Sequence, residues 1–559
     1  MSLNLTARYN QKQYRFYDNE TDFQLSFAGF RAVDDAKAVF EDAAAKEGCD
    51  KALALMARME AGEVINHTAV KAESEDRQVD HYNLRLKEEK VTGKSLAHSL
   101  TMWEEVKAVI ERIENGDITN EAGERFTDVV FNGIGGSFLG PLMLIISQKG
   151  DEYNTAPDMK VKVHFVANTD PETFDRLVSR NNLKNMLMVV MSKSGGTSET
   201  LGNWDTFSQE VSALGLAPNR HLMAITIPGS FLDGRSKSEK WVHTFNMHEE
   251  TGGRTSIWSA IGAVPCAFAH IDFAEFLKGA SHMDEMTRRA DAPSNPAMLM
   301  SLYINHLLNK SPKNMMVLGY SDCLKEYSHY LQQLYMESLG KEYDIEGKAA
   351  PHGLTVFGGV GTGEQHSCMQ QIQKGINDTF VRFIHFRHRE ADYANAKAGS
   401  MGRQLLAFVK GTELALNQNG RSFVTMTFSK PNPFNMGMMV ALEERVVSIL
   451  AAFWDINAYD QPGVQDGKLA AKGVNALSLA IENALVAAKA FTALSVTDTL
   501  STLGVEAASL GDNLEWLADS LLSDICANGG VQNAYKLSAK MSREWDAESC
   551  QFKYTWAGM

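Results

Sequence analysis

The sequence predicts an α/β protein made of two doubly wound domains, each a largely parallel sheet covered by helices, with helical segments before and after them. Three observations carry this. Short apolar runs alternate with amphipathic stretches, the runs fall into two series, and 559 residues are enough for two domains of roughly 200 residues each plus appendages. A composition of 44% hydrophobic and 22% charged residues is that of a globular chain.

In chain order, residues 1–105 read as a charged, mostly helical segment without a strong strand signal, with alanine-rich stretches such as Val33 to Ala45. The first domain, 106–290, follows. Its runs DVVF, KVHFVA, MLMVVM, HLMAITI and WVHTF are each bounded by Gly, Ser, Asn or Pro, as buried parallel strands are when helices cover both faces. A second series, MMVLGY, LTVFGG, FVRFIHF and FVTMTF, marks a second domain over 291–475, the boundary lying between about Asp272 and Pro312. From 476 to 559 the chain is rich in Ala, Leu and Ser with helical periodicity and is expected to form a helical tail.

Acidic residues number 69 against 54 basic ones, a net charge of -15 that argues against nucleic acid or an anionic membrane surface as partner. An anionic substrate would need a local basic pocket. Six cysteines are scattered without C-x-x-C spacing, so neither a zinc cluster nor a disulfide framework is expected, and a cytoplasmic location fits. The first twenty residues lack the apolar core of a leader, and the longest apolar run, Val446 to Trp454, is broken by Ser448 and too short to span a bilayer.

Two glycine- and hydroxyl-rich loops follow strands. Val129 to Phe131 run into Asn132-Gly133-Ile134-Gly135-Gly136-Ser137-Phe138-Leu139-Gly140-Pro141, where glycines admit a ligand close to the backbone and the next helix presents free N–H groups to an anion. This is neither a nucleotide P-loop nor a G-x-G-x-x-G fingerprint, and a tight turn is the plain alternative. The strand MLMVVM ends in Ser192-Lys193-Ser194-Gly195-Gly196-Thr197-Ser198-Glu199-Thr200. Hydroxyls, glycines and a lysine at that density suit a phosphate, although each hydroxyl alone is more simply a helix cap. Both loops sit where open α/β sheets bind ligands.

With these loops in view, the chain resembles the glucose-6-phosphate isomerase family and its sugar isomerase (SIS) domains. Gly252-Gly253-Arg254, Glu337-Ser338-Leu339-Gly340-Lys341, the Gln365-His366 segment and Asp460-Gln461-Pro462-Gly463-Val464 to Lys468 match further family segments in the family's order. The matches run from Gly133 to Lys468, with a weaker echo from Glu75 to Arg85. Thr255 stands where the family usually has an aromatic residue, and the tail beyond Lys468 is longer than the family's ending.

The resemblance implies reversible isomerisation of glucose 6-phosphate and fructose 6-phosphate through a cis-enediolate, as in glycolysis and gluconeogenesis, without a cofactor. Glu337, late in an amphipathic stretch, is then the base, with Gln333 one turn earlier on the same face as a substrate contact. Arg254 stabilises the enediolate. His366 and Lys468 open the sugar ring, with Glu199 orienting the histidine. Gly136, Ser137, Ser192, Lys193, Ser194, Thr197 and Thr200 hold the phosphate and sugar, with Gln461 close by. The family also implies a homodimer in which His366 serves the neighbouring subunit's site. No aspartate or histidine cluster has metal spacing, so no metal is expected. The alternatives are a sugar-phosphate-binding SIS protein without catalysis, for which no basic helix-turn-helix face is seen, and an isomerase that also takes mannose 6-phosphate.

Overall fold

A computed structural model describes residues 2–31, 39–40, 42–70, 74–311, 314–505, 513–531, 534–537 and 540–558. These fall into two compact units, Met1–Asp460 and Gln461–Met559.

The first unit is built on two large sheets, beside three two-stranded ribbons among the described residues. Strands β1 (Arg15–Asp18) and β2 (Phe23–Ser26) form an antiparallel hairpin near the N-terminus. Next come β3 (Asp128–Asn132), β4 (Lys162–Val166), β5 (Met186–Met191), β6 (Leu222–Thr226) and β7 (His243–Asn246), all parallel in the order β4-β3-β5-β6-β7. Strands β8 (Asn314–Gly319), β9 (Val356–Val360), β10 (Thr379–Phe386) and β11 (Phe423–Phe428) are parallel too, and the hairpin joins them through β2 to give the order β1-β2-β11-β10-β8-β9. The two predicted strand series are therefore the two sheets.

Period-two side-chain alternation decides which residues face which layer. Val129, Phe131, Leu187 and Val189 of the first sheet and Met315, Val317, Phe380 and Ile384 of the second belong to one continuous core, which several helices complete. The residues between them, Val130, Met188 and Val190 in one sheet and Met316, Val381 and Phe383 in the other, build separate outer cores. Five helices of this unit matter below: α1 (Leu139–Lys149), α2 (Ser198–Ala213), α3 (Tyr327–Leu339), α4 (Met401–Gln418) and α5 (Pro433–Phe453).

Helix α5 is buried along nearly its whole length and yet carries Glu443, Glu444 and Arg445. Each is answered. Arg382 Nη1 donates to both Glu443 oxygens at 2.6 Å, Arg445 Nε to Asp284 Oδ1 at 2.9 Å, Arg85 Nε to Asp284 Oδ2 at 2.7 Å, and Trp258 Nε1 to Glu444 at 2.8 Å. Unpairing one member of such a buried set costs about 3–5 kcal/mol. Tyr335 donates to Glu443 Oε2 at 2.5 Å, which ties α3 into this network one half-turn before Glu337. The helix that carries the candidate base is thus fixed by buried charge as well as by apolar packing.

Two expectations need correction. The N-terminal segment supplies a hairpin: its strands are only four residues long and aromatic, and they bury Phe16, Phe23 and Leu25 against the second sheet rather than in a sheet of their own. The stretch Val33 to Ala45 lies mostly outside the described residues; where described, Asp42 is extended and caps the helix Ala43–Glu60. The tail is not wholly helical. In the second unit α6 (Gly463–Ala487) runs unbroken through residue 475, so the compact boundary is Asp460/Gln461. Two shorter helices and the antiparallel strands β12 (Phe491–Leu494), β13 (Met541–Asp546) and β14 (Gln551–Trp556), in the order β12-β14-β13, complete this unit. QFKYTW alternates with period two, a strand pattern concealed by the helical composition before it. This unit has its own core, including Leu477, Ile481, Leu522, Tyr554 and Trp556.

Candidate active site

Glu337 lies in the last turn of α3, and its half-buried carboxylate is the centre of the constellation. Arg254 Nε donates to Glu337 Oε2 at 2.9 Å, and Gln333 Nε2 donates to the same oxygen at 3.2 Å. The Gln333 contact follows from the i, i+4 spacing on one helix face. Among the described residues Oε1 accepts no hydrogen bond. The carboxylate is therefore oriented through one oxygen while the other is available.

Arg254 is 5% exposed and is held on several sides. Its Nη1 donates to the Ala458 carbonyl at 2.6 Å and to Ser338 Oγ at 3.4 Å, and Nη2 to the Asp460 carbonyl at 2.9 Å. Lys341 ties the same pieces together, since Nζ donates to the carbonyls of Glu337 at 3.0 Å and Asp460 at 2.8 Å and pairs with Asp460 Oδ1 at 2.7 Å. Burial lowers the pKa of Lys341, and Asp460 opposes that fall. Lys341, Ser338 and Asp460 all stand in the quoted motifs, yet their supporting role was not legible there. Thr255 is buried beside Arg254, with Oγ1 donating to the Gly252 carbonyl at 3.4 Å.

The first glycine loop closes on this group. A Cβ on Gly136 would lie 1.8 Å from the Gly253 carbonyl oxygen, so only glycine allows the loop to lie against the Gly252-Gly253-Arg254 segment. Ser137 follows in the same short 3-10 turn, Gly135–Ser137, before α1. Replacing Gly136 with Ala is expected to cost about 1–3 kcal/mol of stability through this overpacking. It should also lower turnover by displacing Arg254. Urea unfolding and steady-state kinetics check both, and an unchanged midpoint with unchanged turnover contradicts the packing argument.

The hydroxyl-rich loop is preorganised before α2. Ser192 Oγ lies 3.1 Å from Thr197 Oγ1 and accepts from the Gly195 N–H at 3.1 Å, while Ser194 Oγ accepts from the Gly196 N–H at 3.3 Å. Gly195 has φ +68°, the left-handed region that glycine enters without strain. Thr200 is buried, and its carbonyl accepts from Asn132 Nδ2 at 2.8 Å. Asn132, at the end of β3, thereby couples the two loops, a role that sequence reading missed because an asparagine at a strand end looks like a turn former. Lys193 Nζ is buried without a hydrogen-bond partner among the described residues. Burial, with the nearby Arg77 adding to it, brings this amine down to about 8.

Four further site residues were predicted: His366, Glu199, Gln461 and Lys468. His366 follows the short helix Gly361–Glu364 after β9; it is exposed, and its ring makes no hydrogen bond or ion pair among the described residues. Glu199 accepts from Ser198 Oγ at 2.9 Å and has no bond to His366. Gln461 opens the second unit, and Lys468 is exposed on the first half of α6.

One carboxylate-histidine group does have metal-like spacing: Asp80, His248 and Glu250 offer ligand atoms within 4.8 Å of one another. Lys94 Nζ stands among them, 3.3 Å from Asp80 and 2.8 Å from Glu250, so a lysine already answers the acidic charge. Among the described residues no helix is long and apolar enough to cross a membrane.

The chain is similar to known proteins of one family. It is 37% identical over 495 residues to a glucose-6-phosphate isomerase of Prochlorococcus marinus, covering 87% of this chain and 89% of that one. It is 38% identical over 431 residues to a glucose-6-phosphate isomerase of Nostoc punctiforme, covering 76% and 79% respectively. A crystal structure of a glucose-6-phosphate isomerase from Chlamydia trachomatis superposes with a TM-score of 0.73 at 27% identity, over 85% of this chain and 93% of that one. The phosphoglucose isomerase family model matches residues 31–492, which take in every segment of the site described above, and the chain belongs to that family.

Proposed function

We propose that the chain interconverts glucose 6-phosphate and fructose 6-phosphate by moving one proton between adjacent carbons through a cis-enediolate. The observation that carries this is the pairing of Arg254 and Gln333 on a single oxygen of Glu337, with the other oxygen left to accept a proton. The loop Ser192–Thr200, with Gly136 and Ser137, receives the phosphate and sugar. Glu337 Oε1 removes the carbon-bound proton beside the carbonyl and returns it to the neighbouring carbon. The negative charge that develops on the enediolate oxygens is met by a guanidinium whose position is fixed beforehand, so little reorganisation is needed in the transition state.

Ring opening falls to His366 and Lys468, with Glu199 as the orienting carboxylate and Gln461 against the sugar. An exposed His366 without a partner among the described residues of its own subunit suits a residue supplied to a second copy. Gln365 is bonded to Thr412 of α4, and α4 exposes Met401, Phe408 and Leu414. Met401 and Phe408, seven residues apart, fall on one side of α4, and an exposed apolar pair on a helix bonded to the residue before His366 supports a homodimer with shared sites.

Conversion of fructose 6-phosphate in a coupled assay for glucose 6-phosphate tests the activity itself, and absence of conversion overturns it. In the same assay Arg254→Lys keeps the charge but loses the planar donor set. Turnover is expected to fall by about ten- to a hundredfold, more than KM rises. A raised KM with unchanged kcat would reassign Arg254 to ground-state binding.

A further inference from the structure

His81 is 1% exposed and lines one small cavity together with Arg254. Its ring packs on Tyr82, with centroids 4.1 Å apart, and stands 6.2 Å from the Tyr459 ring. Among the described residues neither ring nitrogen has a hydrogen-bond partner, and Nδ1 is fully buried. A buried polar atom left without a partner costs about 1–3 kcal/mol, so the fold needs something to answer it. The cavity measures about 20 Å³, and Thr255, Ala458 and Tyr459 also line it. That volume holds one water, and His81, Arg254 and Ala458, which line it, carry polar groups of the kind a buried water requires.

The charge state of the ring fits this place. Burial, then the guanidinium groups of Arg85, Arg445 and Arg254, hold His81 well below its ordinary pKa, against an opposing effect of Asp284. A neutral ring accepts a hydrogen bond on the Arg254 side without adding a further positive charge there.

We infer that His81 is a positioning residue for Arg254: through one water enclosed between them, its imidazole fixes the guanidinium and the Ala458 carbonyl to which the guanidinium donates. Arg254 meets charge that exists only in the transition state, so loosening it lowers turnover rather than affinity. This rests on the reading of Arg254 given above.

A double-mutant cycle measured with fructose 6-phosphate tests it. His81→Phe keeps a ring but no polar atom and should lower kcat by about tenfold or more, with KM within about threefold of wild type. In His81→Asn the side-chain amide takes the place of Nδ1, and kcat should stay within about threefold. In an Arg254→Lys background, His81→Phe should lower kcat no further. Where thermal melting shows that His81→Phe does not fold, His81→Leu, smaller than the ring, replaces it throughout. If His81→Asn is impaired as severely as the apolar variant, or the apolar variant keeps its full effect beside Arg254→Lys, His81 only packs and the inference is wrong. Unchanged kcat in Arg254→Lys alone would instead overturn the reading of Arg254.

Discussion

Glu337→Gln is expected to lose at least about a thousandfold in kcat while KM changes little, a loss within the range assigned to a positioned acid or base. The amide matches the carboxylate in shape, and Arg254 and Gln333 still have an oxygen to donate to. What disappears is the acceptor for a carbon-bound proton. Substrate phosphate is expected in the loop Ser192–Thr200, whose internal hydrogen bonds do not involve Glu337, so affinity should survive. Steady-state kinetics measure the loss. Exchange of the substrate's carbon-bound hydrogen with solvent deuterium separates proton transfer from ring opening, since only the former needs Glu337. Activity within tenfold of wild type removes Glu337 from the mechanism.

The parts of this site that were legible in the sequence are those where a residue's role follows from its neighbours along the chain. Gln333 and Glu337 are four apart on one helix, so their contact is fixed by helix geometry alone. The loop after β5 announced itself by density of hydroxyls, and its internal bonds are all local. The supporting shell was not legible. Arg254 is held by carbonyls more than two hundred residues away, and carbonyls leave no trace in a sequence. Asn132 reaches Thr200, and Tyr335 reaches Glu443, across distances that only the doubly wound topology closes. Lys94 shows the same limit from the other side: spacing along the chain pointed to no metal cluster, whereas Asp80 meets His248 and Glu250 from a distant segment, with Lys94 among them. The fold was legible where strands were buried on both faces and read as continuous apolar runs. It was not where strands were short or half-exposed, as in β1, β2, β13 and β14, whose charged and aromatic residues resemble the helical stretches around them.

Refolding Glu337→Gln together with His366→Ala is expected to restore activity that neither variant has alone. The motive is the exposed His366, which makes no bond in its own chain among the described residues and follows Gln365, which is bonded to α4 with its exposed Met401 and Phe408. If the histidine crosses to the neighbouring subunit, a mixed dimer places both defects in one site and none in the other. Random C2 pairing makes about half of the dimers mixed, and each has one intact site of two, so the mixture should reach about a quarter of wild-type activity. If His366 instead serves its own chain, every site in every dimer carries at least one defect. Mixing then restores nothing. The two arrangements differ between a quarter of full activity and the residual level of the single variants, a gap far larger than refolding losses, which wild-type protein taken through the same cycle calibrates. Differently tagged variants confirm by sequential affinity capture that mixed dimers have formed. Mixed dimers without recovered activity would sink the shared site while leaving Glu337 and Arg254 in their places, because their pairing is made within one chain.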